Sequence, residues 1–351
     1  MSGAAKRSTG RRALLRGAVG AGAGAVAAWA LGGAGTAAGA ARARDAAPPR
    51  HAGAGTETQA GMQADAGGVA ARGSRVVSYR AGPFEVLALL DAHGPFPATA
   101  RETFPEADAQ DWARARRIDP DAFGPGDAWQ LAFRCHAIRR PGGRVALVDS
   151  GVGPVGSPAS GWAPVPGHLP EVLKTAGIAP RDVDTVVLTH LHEDHYGWTV
   201  SPQGVPLFPD ARHVVQRAET AALSEDDSAQ SYVVAPLRDA GLLHEIDGRV
   251  RLLRGHRTGG AVTAVPTPGH TPGHQSVLVD GGARRVVVTG DVLVHAVQLA
   301  NPEVAYRLEA DQPTARATRT ALLSEARTHH ALLATSHLNR PFLHAPPDGA
   351  H

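Results

Sequence analysis

The feature that most restricts this chain is the hexapeptide His190-Leu191-His192-Glu193-Asp194-His195, directly behind the apolar run Asp184-Thr185-Val186-Val187-Leu188-Thr189. The run reads as a short buried strand. Histidines two apart at a strand end, then Asp-His in the following turn, put four ligand-capable side chains on one short loop. Zinc takes neutral imidazole nitrogens or carboxylate oxygens, and a two-ion site needs about six such groups with one shared. One loop of this kind supplies two ligands to each of two ions. Any fold the chain adopts must therefore bring further ligands to the end of that strand.

The His-x-His-x-Asp-His spacing resembles the signature of the metallo-β-lactamase superfamily, and the similarity runs from about Arg75 to His344. Downstream, Pro268-Gly269-His270-Thr271-Pro272-Gly273-His274, Thr289-Gly290-Asp291 and Thr335-Ser336-His337 follow in that family's order. The resemblance implies that His190, His192 and His270 hold one metal and Asp194, His195 and His337 the other, with Asp291 shared. His337 is preferred over His329, His330 and His344 because it ends an apolar run. Two zinc ions per chain are expected, with other divalent transition metals admitted. Val148-Asp149-Ser150-Gly151 fits the family's Asp-x-Gly turn, where Asp149 would fix loop geometry or orient a histidine, unless it only caps a turn. His274 is expected to pack or hydrogen-bond beside the ligands, and Glu193 to face the surface.

The remaining pattern agrees with such a fold. Strand-like runs lie at 76–79, 84–90, 130–139 and 144–148, the last two joined through Pro141-Gly142-Gly143 as a hairpin. Leu169 to Ala176 has helical spacing and stops at Gly177. Further strands are expected at 212–216, 261–266, 275–279, 285–289 and 331–335, with helices at 217–223 and 312–328. Two runs of mostly hairpin-linked strands, each followed by helices, predict an α+β chain with two sheets face to face. The resemblance makes this an αβ/βα four-layer sandwich, two packed mixed sheets with outer helices and the metals at one rim.

Phe84 to Pro97 and Gly290 to Pro302 resemble the lactonase and methyl parathion hydrolase-like branch, making His295 and Gln298 pocket candidates. Acyl-homoserine lactonases carry a tyrosine three residues after the shared aspartate, where this chain has Val294. The implied chemistry is attack on a lactone, carboxylic ester or phosphotriester by a hydroxide held between the metals, with Asp194 or Asp291 relaying a proton. The expected partner is a small ester-like substrate, with a homodimer left open. The alternatives are a β-lactam hydrolase of the same fold and a non-catalytic exported metal-binding protein.

Composition limits other classes. Residues 1–50 hold eight Lys or Arg against one acidic residue, so the rest of the chain carries a net −5. That leaves no basic footprint for nucleic acid. Arg11-Arg12 before Leu14-Leu15, the Ala/Gly-rich run to Ala40 and the small residues Ala38-Gly39-Ala40 resemble a twin-arginine signal peptide over 1–40. It predicts export to an extracytoplasmic location. The apolar run is too short and glycine-laden for a stable membrane span once the signal is removed. Residues 41–73 read as a disordered linker, and 74–351 as the hydrolase domain. The single cysteine, Cys135, lies in an apolar run and reads as a buried thiol. Trp112, Phe123, Trp129 and Trp162 are assigned to the core ahead of the pocket.

Overall fold

The computed structural model describes residues 74–254 and 259–347. The expected signal peptide and linker lie outside the described residues. Thirteen strands are described: β1 (Val76–Ala81), β2 (Phe84–Pro95), β3 (Gln130–Arg139), β4 (Val145–Val148), β5 (Val183–Val187), β6 (Arg212–Gln216), β7 (Leu243–Ile246), β8 (Val250–Arg254), β9 (Ala261–Pro266), β10 (Gln275–Asp280), β11 (Arg285–Val288), β12 (Leu332–Ala334) and β13 (Phe342–His344). They form a seven-stranded sheet, β1 to β7 in sequence order, and a six-stranded sheet in the order β13-β12-β11-β10-β9-β8.

Strands covered on both faces need apolar residues at every position, and the alternation then decides which layer each side chain joins. In β4, Ala146 and Val148 enter the layer between the sheets, while Val145 and Leu147 face outward under helices. In β10 and β11, Val277, Val279, Val286 and Val288 face the inter-sheet layer, and Leu278 and Val287 face the opposite side. Outside the first sheet, Leu147 and Val186 pack with Leu169, Val172 and Leu173 of the helix Leu169–Thr175. Outside the second, Val287 and Leu333 pack with Leu322, Leu323 and Ala326 of the helix Gln312–Thr328. Four layers result, as expected. Each fully buried Val or Leu contributes about 1.5–3 kcal/mol, against about 1 kcal/mol for a helix cap. Packing of the sheets therefore outweighs local helix signals.

Hairpin links account for only part of the topology. β1 to β4 and β8 to β11 are antiparallel, but β4 through β7 pair in parallel, as do β11 and β12. Parallel pairing requires long connections between strands. One of these connections, between β5 and β6, carries the histidine cluster. The stretch 96–129, unread in the sequence, contains the helices Ala100–Thr103 and Ala109–Ile118, the second started by Asp108, which accepts from the amides of Gln110 and Asp111. Cys135 is buried. No helix among the described residues is long and apolar enough to cross a membrane.

A bulge in β2 anchors the turn that follows β4. The β2–β3 register shifts between Leu90 and Ala92, and the buried Asp91 carboxylate accepts from the amides of Val152 and Leu169 and from the Trp198 indole. Burial raises its pKa to about 6 despite those donors. Gly151 has φ +70, and a Cβ there would meet Asp91 Oδ2 at 2.1 Å. Only glycine lets the turn after β4 close over this carboxylate.

Candidate metal centre

All seven residues expected as ligands converge. They form two groups, His190, His192, His270 and Asp291, and Asp194, His195 and His337, with their ligand atoms within 4.8 Å of one another inside each group. The helical turn Glu193–Tyr196 carries Asp194 and His195. His337 follows β12 and is captured by the other sheet: the Ala132 amide donates to its carbonyl, and its Nδ1 lies 3.0 Å from the Ala132 carbonyl.

The surroundings fix which ring nitrogens are free. Asp149, itself at φ +59, accepts from the Thr189 amide and hydroxyl and lies 2.9 Å from His195 Nδ1. A carboxylate only accepts, so His195 donates through Nδ1 and keeps a lone pair on Nε2. The Thr189 hydroxyl spends its one proton on Asp149, so the His190 Nδ1 at 3.0 Å must donate to it. His190 Nε2 is thereby free, and His337 Nε2 likewise, because Nδ1 donates to a carbonyl.

Asp291 is placed between the groups. Its Oδ2 lies 3.3 Å from His270 Nε2 and 3.8 Å from His190 Nε2, and its Oδ1 3.3 Å from His195 Nε2 and 3.1 Å from His337 Nε2. Asp194 Oδ2 is 3.5 Å from both His195 Nε2 and His337 Nε2. His192 Nδ1 stands 3.0 Å from His190 Nε2 and 2.9 Å from His270 Nε2. A tetrahedral zinc with bonds near 2.0–2.1 Å would hold its ligand atoms about 3.4 Å apart. The observed spacings surround that value. His195 Nε2 and Asp291 Oδ1 are also buried without a hydrogen-bond partner among the described residues. Atoms this close yet not aligned on each other point at a common third position, and the donor set suits divalent transition metals.

Electrostatics differ across the site. Burial, together with neighbouring histidines, pushes His190 and His270 well below the ordinary imidazole range. Burial opposes charge on His195 as well, but the carboxylates of Asp291, Asp194 and Asp149 outweigh it and raise its pKa well above that range, so an ion binding there would displace a proton from Nε2 and free its lone pair. For Asp291, burial is overcome by His337 and His195, and its pKa falls well below that of a free carboxyl.

Other expectations fare differently. His274 bonds beside the ligands as expected: its Nε2 accepts from the Asp291 amide, and its Nδ1 lies 2.8 Å from the Thr267 hydroxyl. Glu193 does not simply face the surface, since it accepts from the Trp162 indole at 2.6 Å. His295 and Gln298 are not pocket residues. His295 is 1% exposed among Phe104, Trp112, Phe123 and Trp129, ring centres 5.4–5.5 Å away. Gln298 is fully buried, bonded to the Val294 amide and Glu309. Trp112 and Trp129 belong to the core, with Phe123 and Trp162 packed on it. Tyr306, which no local motif marks, stacks on His270 at 6.0 Å and 10°. Val294 is buried and offers no hydroxyl.

Comparison with known proteins gives the same outline. Residues 134–337 match the family model described as the metallo-beta-lactamase superfamily. The N-acyl homoserine lactonase AttM of Rhizobium radiobacter is 36% identical over 110 residues, 30% of this chain and 40% of that protein. An N-acyl homoserine lactonase of a Bacillus species is 32% identical over 113 residues, 32% of this chain and 39% of that protein. The chain thus spans about 40% of the length of these curated relatives. Among solved structures, the hydrolase AbOPH of the beta lactamase superfamily superposes with a TM-score of 0.63 and 25% identity, over 79% of this chain and 95% of that one. AidC, a dizinc quorum-quenching lactonase in complex with the product N-hexnoyl-L-homoserine, gives 0.62 and 19%, over 78% and 95%. With the four-layer fold and the paired ligand groups, the family match shows that this chain belongs to the metallo-β-lactamase superfamily and is related to the N-acyl homoserine lactonases.

Proposed function

We propose that the protein is a dinuclear zinc hydrolase of ester-like bonds, with lactones, carboxylic esters and phosphotriesters as the substrate class. The observation that carries this is Asp291, whose two oxygens face two separate groups of imidazole nitrogens. Two divalent ions held there would lower the pKa of a shared water and polarise the oxygen of the bond under attack. His190, His192 and His270 would hold one, Asp194, His195 and His337 the other. Asp291 would give its oxygens to the two ions and so is not assigned the proton transfer. Asp194 turns Oδ2 to His195 and His337, so its Oδ1 is the group we assign to taking a proton from the attacking water and passing it to the leaving oxygen.

The names of the curated relatives favour the lactone arm. Val294 means that any phenol steadying the substrate carbonyl must come from another position. A panel of lactone, aryl ester, phosphotriester and β-lactam substrates on metal-quantified protein tests the reading. Turnover of at least one ester-like class that disappears with chelator is expected, and activity confined to β-lactams would overturn it. We propose further that residues 1–40 direct export, to be tested by fractionating cells that express the full chain and an Arg11→Lys, Arg12→Lys variant. Export of both forms alike would contradict a twin-arginine route.

A further inference from the structure

We infer that Glu219 is a positioning residue that clamps the loop of His190 and His192 against the loop of His270, setting three ligands of one ion through a single carboxylate. Glu219 is 3% exposed in the helix Arg217–Ala222, directly behind β6. Because β6 lies parallel to β5, this helix starts beside the loop that leaves β5. Glu219 Oε1 accepts from the Leu191 amide at 2.9 Å, between His190 and His192. Oε2 accepts from the Thr271 hydroxyl at 2.7 Å and the Gly273 amide at 2.9 Å, just after His270. A Cβ on Gly273 would lie 2.1 Å from the Glu219 amide nitrogen, so glycine is what allows this approach. The second group is held differently, by Asp149 behind His195 and the Ala132 carbonyl behind His337. The clamp should therefore act on one ion and spare the other.

This rests on the two-ion reading, and its test is read on metal rather than on turnover. Glu219→Gln keeps the size and one acceptor but turns an amide NH2 towards donors it cannot satisfy; Thr271→Val removes one donor alone. Metal-free protein is titrated with Zn2+ against a chromophoric chelator, and with Co2+ for its visible spectrum. Loss of an outer partner weakens a site by about 10–100-fold. Glu219→Gln is expected to raise one Kd at least about tenfold, leave the other within about twofold, and alter the spectrum of one cobalt ion only, with Thr271→Val giving a smaller shift of the same kind. Equal weakening of both ions, two unchanged constants, or failure of either variant to fold would overturn the assignment, the last by showing that the clamp serves the fold alone. If wild-type protein binds two ions yet cleaves no ester-like substrate, the functional reading fails while the effect of Glu219 on metal can still be read.

Discussion

Asp149 accepts from both Thr189 groups and from His195, so this one carboxylate orients the rings of two proposed ligands, His195 directly and His190 through Thr189. Asp149→Asn puts a donor where an acceptor is needed, and should weaken the ion at His195 by about 10–100-fold, measured by chelator competition. An unchanged constant would remove Asp149 from this role. Asp291→Ala deletes the bridge and should leave at most one ion per chain by elemental analysis, with hydrolysis lost alongside. The residues of the cluster were legible because their spacing and order are local facts of the sequence. Glu193, His295 and Gln298 were not, because their surroundings come from distant segments: Trp162 reaches Glu193 across 31 positions, and the aromatic box around His295 is built from residues 104–129. Glu219 and Tyr306 acquire their contacts with the site only when β6 and the loop after Asp291 are in place.

The segment that carries Asp291 is tied to the helix Gln312–Thr328 by a buried pair. Arg319 donates to Glu309 at 2.7 Å and to the carbonyls of Val292, Pro302 and Val304, both side chains at most 1% exposed. Arg319→Ala strands the Glu309 charge and should cost about 3–5 kcal/mol in denaturant unfolding. A loss below about 1 kcal/mol would show that the pair is dispensable. Elements buried on both faces, such as β4, β10 and β11, announced themselves as apolar runs. The edge or near-edge strands β7, β8 and β13 did not, because exposed positions interrupt them: His244, Arg251 and His344 all face solvent. The helix Ala109–Ile118 buries only Asp111, Trp112 and Ala115, too few apolar positions to show a helical stripe.

The whole molecule buries histidines that no metal needs. Burial lowers the pKa of His136 to about 3, of His213 to about 4 and of His295 to about 3. The unfolded chain takes up protons at these sites near pH 6.5 while the folded chain does not, so their stability contribution is present above that pH and is lost on acidification. Each should cost about 2 kcal/mol between pH 7 and pH 5. Asp91, raised to about 6, works the other way, because the folded form holds a proton that the unfolded carboxyl releases. The buried histidines predict a contribution to a falling Tm between pH 7 and pH 5, and His213→Leu should flatten that slope; an unchanged slope would contradict it. At this scale the parallel half of the first sheet sets the β5 and β6 loops side by side, and the second sheet brings Asp291 and His337 to the same rim. The most direct test of a shared two-ion centre is stepwise Zn2+ titration of metal-free protein with turnover of an ester-like substrate followed at each step. Activity should rise to a plateau at two ions per chain and collapse in Asp291→Ala; a plateau at one ion, or full activity without Asp291, would contradict it.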